Sequence, residues 1–170
     1  TKERDATVLA ERVLHQYRQP LLDAAHALQG RLFNIMAQDF LGRYYLQESD
    51  EEERGYARDY TVYVIAEYLC WVEILRREAR FDDLLTDDTH RGLMQCLAHI
   101  QFAIQTDRQA SAAFRVFRGH QRALAELMMV PTGTAEGPRT ECMGYAAFSR
   151  RLDDAEFAGW FGQLRADVDT

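Results

Sequence analysis

Lysine is almost absent from this chain: of its 20 basic residues only Lys2 is a lysine, and the rest are arginine. With abundant alanine, that usage suggests a high-GC bacterial genome and carries no functional information. Proline is scarce too, and two of the three, Pro131 and Pro138, fall in one short stretch, so long regular helices can run through the rest. The three cysteines, Cys70, Cys96 and Cys142, are odd in number and lack CxxC spacing, which argues against a disulfide framework or a zinc finger. Each lies in an apolar helical stretch, as expected of reduced core thiols in the cytosol. No apolar run approaches the roughly 18 residues needed to cross a bilayer, and no signal-peptide pattern opens the chain. Positive charge is also in deficit: the net charge of -7 and pI near 5.2 repel a phosphate backbone over most of the surface, so no general nucleic-acid binding is expected. Gly-rich phosphate loops and serine nucleophile elbows are missing, which weakens the case for an enzyme.

What is present is a globular balance of 47% hydrophobic and 28% charged residues over 170 residues, enough for one domain with a core that needs no disulfide or metal. Apolar residues recur with helical period and nowhere alternate convincingly, so the fold class is all-α, a bundle of about six or seven helices around one long central helix. A first helix over about residues 3–18 carries Ala6, Leu9, Val13 and Tyr17 and is expected to stop before Pro20, where a second can restart. On that second helix Leu21, Ala25, Leu28, Leu32 and Ile35 form one apolar row and Leu22, Phe33, Met36 and Phe40 another, predicting a broad buried face. Ser49 with Glu52 reads as a capping box opening the central helix, about 50–81, which is apolar on nearly every side from Tyr60 to Leu75. Further helices are expected over about 87–107, 112–130 (through Phe114, Phe117, Leu124 and Met128), 141–151 and 154–168 (through Phe157, Trp160 and Phe161). The stretch from Pro131 to Thr140 reads as a loop.

Among polar residues Glu67 stands out, because at 100° per residue it falls inside the arc of Tyr60, Tyr63, Trp71 and Ile74. A carboxylate there is expected to be buried and paired with an arginine or a tyrosine hydroxyl, since leaving it unpaired costs several kcal/mol. It is either a satisfied core glutamate or the anchor of a small pocket, its carboxyl pushed up by desolvation. Gln29 and Asp39 on the second helix, and His120 and Gln121 on the fifth, intrude on apolar arcs in the same way and could meet Glu67 in one internal network. Glu73, by contrast, projects with Asp59 and Arg77 on the polar side of the helix. Metal binding finds little footing: there is no Glu-x-x-His pair, and Asp23-x-x-His26, Asp87-x-x-His90 and Cys96-x-x-His99 are poorly placed to converge. No cofactor is expected. Arg115, Arg118 and Arg122, three and four residues apart, could clamp a phosphate or an acidic partner, or form a solvated face bridged to acids such as Glu126.

YRQPLLDAAHALQGRLFNIM at Tyr17–Met36 and FRVFRGHQRALAELM at Phe114–Met128, together with FLGRYY at Phe40–Tyr45 and the Tyr145–Trp160 region, resemble uncharacterised bacterial proteins with a helical cytosolic domain behind an N-terminal membrane anchor. The resemblance implies a tether, with an apolar helix before Thr1 and Lys2 and Arg4 on the cytosolic side, and it implies no chemistry. The expectation from the sequence is a non-catalytic domain that binds a protein partner or assembles with itself. The alternative is a small-molecule sensor or enzyme whose inter-helix pocket is anchored by Glu67 among Tyr60, Tyr63 and Trp71.

Overall fold

The computed structural model describes residues 2–37, 50–78, 88–105, 114–134 and 137–169. Among these, six helices and one hairpin follow in the order α1 (Lys2–Ala37), α2 (Glu51–Glu78), α3 (Asp88–Gln105), α4 (Arg118–Met128), β1 (Met129–Thr134), β2 (Gly137–Cys142), α5 (Tyr145–Arg151) and α6 (Ala155–Val168). The fold is all-α, and the expected central helix is indeed central. α2 packs against α1, α4, α5, α6 and β2. It can do so because the run from Thr61 to Leu75 is buried on almost every side, so apolar surface meets each neighbour in turn. Asp50 caps its start, the carboxylate accepting from the Glu53 amide at 2.8 Å, and Glu51–Glu53 and Arg76–Arg77 complement the helix dipole at opposite ends. Ser49, the expected cap, lies outside the described residues.

Three sequence expectations are corrected. Pro20 does not divide two helices: α1 runs through it as one helix. The imino ring removes a single rung of the ladder, while Tyr17, Leu21, Ala24 and Leu28 are buried on both sides of that rung, so packing on α2 holds the axis together. The buried face of α1 is also narrower than its two apolar rows suggest, since Leu22, Leu32 and Phe33 are exposed. Finally, Pro131 to Thr140 belongs to an antiparallel ribbon, with Met129 opposite Cys142 and Pro131 opposite Thr140. In a two-strand ribbon both strands are edges, so a proline can point its missing donor outward, and prolines that read as a loop are compatible with pairing.

The ribbon turns the chain back on itself so that α5 and α6 cover the other flank of α2. The Met143 amide donates to the Met128 carbonyl at 2.8 Å, closing the base of the hairpin. Beneath it Phe148 meets Phe161 edge-on at 5.2 Å, Phe157 at 5.8 Å and Tyr63 at 5.6 Å, an aromatic core beneath α5 and α6. Asp154, one residue after the expected Asp153, caps α6 by accepting from the Glu156 amide at 3.0 Å.

Candidate functional site

Glu67 is half-buried, and its partner is a tyrosine: the Tyr63 hydroxyl, one helical turn earlier, lies 3.1 Å from its carboxylate and 3.2 Å from the Met143 carbonyl. One hydroxyl proton thus faces two acceptors and ties α2 to the end of the hairpin. Burial pushes the Glu67 carboxyl above its ordinary range; the Tyr63 hydrogen bond pulls it down in part and the charge of Asp23 adds to the rise. Burial, and then the Glu67 charge, push the Tyr63 phenol up in turn. The Cys142 thiol is held protonated by its hydrogen bond with Cys70, by burial and by Glu67, which makes it a poor nucleophile. Tyr60 stacks on Tyr63 at 6.0 Å, Tyr145 meets both edge-on, and the Arg31 guanidinium lies 4.8 Å from the Tyr60 ring. Glu67 is therefore a hydrogen-bonded element of an aromatic wall.

The raised carboxyl sets a sign for stability. A folded pKa above the unfolded one favours folding below the unfolded value, and this advantage is lost as pH rises through the folded value. Glu67→Gln keeps an acceptor for Tyr63 and cannot ionise. It is expected to melt with wild type near pH 4 and above it near pH 8, measured by thermal unfolding across that range. A variant less stable than wild type at pH 8 would contradict the assignment.

The other residues grouped with Glu67 in the sequence go elsewhere. Trp71 packs on Tyr17 of α1 at 6.2 Å, Gln29 is exposed, and Asp39 lies outside the described residues. Gln121 is 1% exposed and already committed: its amide donates to the Gln101 carbonyl at 3.0 Å and the Val116 carbonyl at 2.8 Å, stitching the end of α3 to the start of α4. His120, the residue before it, is exposed. Cys96 is exposed as well, a correction to its reading as a core thiol.

Two buried acids are missed by the sequence reading, Asp167 of α6 and, more deeply, Glu73 at 3% exposure. Arg76 binds both its oxygens, the Arg77 Nε donates at 3.0 Å, and Arg122 of α4 approaches to 3.8 Å. Burial alone would push this carboxyl up, but the hydrogen bonds from Arg76 and Arg77 outweigh it and hold the group below the usual range. The spacing alone does not reveal this: Asp59 and Glu73 are two heptads apart on one side of α2, and each also draws an arginine from another helix, Asp59 taking Arg58 at 2.8 Å and Arg165 of α6 at 3.0 Å. That side of α2 is covered by ion pairs with α4 and α6. Beside Glu73 lies a cavity of about 410 Å³ between α2, α3 and α4.

A second cleft, about 280 Å³, opens between the start of α4 and α6, lined by Arg115, Val116, His120, Leu124, Glu156, Trp160 and Gln163. The turn on its rim is held in place: Phe114 sits at φ 59, and its amide donates to the buried Asp167 carboxylate of α6 at 3.0 Å. A left-handed phenylalanine is costly, and that charge-assisted bond offsets the strain. The Val116 amide donates to the Ile104 carbonyl at 2.9 Å, fixing the same turn to α3. On this frame Trp160 is 48% exposed and Phe117 57%, both corrections to their expected core positions. Phe117 is the residue before α4 rather than a member of its buried face, and the Arg115 guanidinium lies 5.6 Å from its ring. The His120 and Trp160 rings meet edge-on at 6.2 Å. Among the described residues no group of three or more metal-binding side chains converges, and no helix is long and apolar enough to cross a membrane. Comparison with family models, with curated proteins and with solved structures yields no match for this chain.

Proposed function

We propose that this chain is a non-catalytic helical interaction domain that docks a protein partner, or a second copy of itself, on the cleft between α4 and α6. The observation that supports this reading is the exposed Trp160, which lines the cleft with Arg115 and His120, and next to it the exposed Phe117, whose ring lies 5.6 Å from the Arg115 guanidinium. Tryptophan, aromatic and arginine side chains around a cleft are the composition of interface hot spots, where a few anchors carry most of the binding energy. The anchors are also pre-organised: the aromatic core of Phe148, Phe157 and Phe161 is buried in and against α6, and Asp167 fixes the opposing turn, so little ordering cost remains for association. The pocket reading anchored by Glu67 has less support, because its carboxylate is already engaged by Tyr63. The tether belongs to the same proposal: an apolar helix ahead of Thr1 would hold the domain at the cytosolic face of the membrane. An initiator methionine encoded directly before Thr1 would end that part of it.

Replacing Trp160 and Phe117 together by serine tests the docking surface, since both are half-exposed and their loss leaves the core intact. In its native cells, wild type is expected in an assembly well above the 19.7 kDa of the chain. The double variant should run as the monomer with an unchanged melting temperature. A wild-type chain that is itself monomeric and unaccompanied, or a variant assembly of the same size, would overturn the reading.

A further inference from the structure

The geometry points to a second, separate site: the cavity between α2, α3 and α4 binds a small organic anion, with the anionic head on Arg118 and Arg122 and an apolar body against Met94 and Leu97. Its 410 Å³ falls in the range of small-molecule pockets. Three guanidiniums, Arg76, Arg118 and Arg122, and one carboxylate, Glu73, line it, and three positive charges less one negative leave a surplus of two. The charges are not equivalent. Glu73 engages Arg76 on both oxygens and takes a further bond from Arg77, which also reaches Glu126 across to α4. Arg122 stands 3.8 Å from the same carboxylate, beyond hydrogen-bonding distance. Arg118, one turn before it on α4, has no ion pair or hydrogen bond among the described residues. The buried acid therefore fixes the inner arginine and leaves the outer two, at i and i+4, as a fork open to an oxyanion.

The opposite wall selects the group attached to that anionic head. From α3 the lining contributes Met94, Leu97, Ala98 and Gln101, with no charge among them, and Val72 of α2 adjoins. A bare inorganic ion would leave that wall unused; a carboxylate or phosphate carrying a short alkyl or similarly apolar group would cover it, each buried methylene contributing about 0.8 kcal/mol. A cation is opposed by the surplus charge. The cavity is independent of the docking cleft, which lies on the other side of α4.

The test is calorimetric titration of the purified chain with octanoate, octyl phosphate, inorganic phosphate and octyltrimethylammonium, on wild type and on Arg118→Gln/Arg122→Gln. Saturable binding of octanoate, octyl phosphate or both is expected, at least tenfold weaker for inorganic phosphate and absent for the ammonium. Which head binds tighter identifies carboxylate or phosphate as the natural source. The double variant should lose at least tenfold in affinity while still folding, its melting temperature lowered only slightly by the loss of Arg122 beside Glu73, and Arg118→Lys/Arg122→Lys should recover part of the affinity. No saturable binding of either alkyl anion, equal binding by the ammonium, or an unchanged affinity in the glutamine double variant would each overturn the proposal.

Discussion

Truncating Phe148 to alanine is expected to destabilise the fold by about 3–5 kcal/mol, the largest loss expected from any of the substitutions proposed. Phe148 is fully buried, and its ring meets Tyr63, Phe157 and Phe161, so deletion opens a cavity that three aromatic rings cannot collapse into without leaving their own contacts. Lost transfer energy and lost edge-to-face contacts both contribute. Because the net stability of a domain is of the order of 5–15 kcal/mol, urea unfolding should show a midpoint lowered by a large fraction of its wild-type value. A loss under about 1 kcal/mol would show that α5 and α6 do not close over α2 through this residue.

Removing the Glu73 carboxylate is the second large effect, and its size follows from competing terms. A buried ion pair that loses one member costs about 3–5 kcal/mol when the survivor stays buried. Here Arg76, Arg77 and Arg122 are each a third to a half exposed, and water can take over their donors. We therefore expect about 2 kcal/mol for Glu73→Ala. The pH dependence is opposite to that of Glu67. A depressed folded pKa contributes stability that is present above the unfolded value, near 4.3 for glutamate, and is lost as pH falls through the folded value. The gap between wild type and Glu73→Ala, followed by urea unfolding from pH 7 to pH 3, should narrow at the acid end. A gap that stays constant over that range would assign the loss to packing and not to charge.

The contrast between these two glutamates shows what one-dimensional periodicity can carry. The 3.6-residue pattern is enough to locate the central helix, because Thr61 to Leu75, Glu67 and Glu73 apart, is apolar on nearly every side and only a helix surrounded by neighbours tolerates that. It also puts Glu67 near aromatic neighbours and leaves its partner open between an arginine and a tyrosine hydroxyl, of which the tyrosine, Tyr63, is the one present, while Gln29, His120 and Gln121 do not reach it. It could not find Glu73, because a wheel drawn for one helix counts arginines on its own polar side as solvent and has no term for Arg122 arriving from α4. For the same reason the wheel placed Trp160 and Phe117 in the core. Trp160 lies on a helix whose buried stripe, Phe157, Phe161, Leu164 and Val168, is already complete without it. Phe117 falls just ahead of α4, since the left-handed turn at Phe114 delays the helix to Arg118. The hairpin escaped because its prolines and glycines are loop residues by propensity, and only the pairing partner across the ribbon reveals them as strands. The arginines of α4 are legible in the sequence as a possible clamp, but that Arg118 and Arg122 face one cavity and Arg115 another emerges only once α4 has been placed against α3 and α6.

The most direct measurement of the docking reading is site-specific photo-cross-linking in native cells, with p-benzoylphenylalanine placed at position 160 and, as a control, at the exposed Val8 of α1. If the cleft between α4 and α6 is the docking surface, irradiation should join the position-160 chain to one discrete protein, a partner or a second copy, and Phe117→Ser should abolish that product. Position 8 should give no such product. A chain that stays uncross-linked at position 160, or a product equally strong at position 8 and indifferent to Phe117, would contradict it.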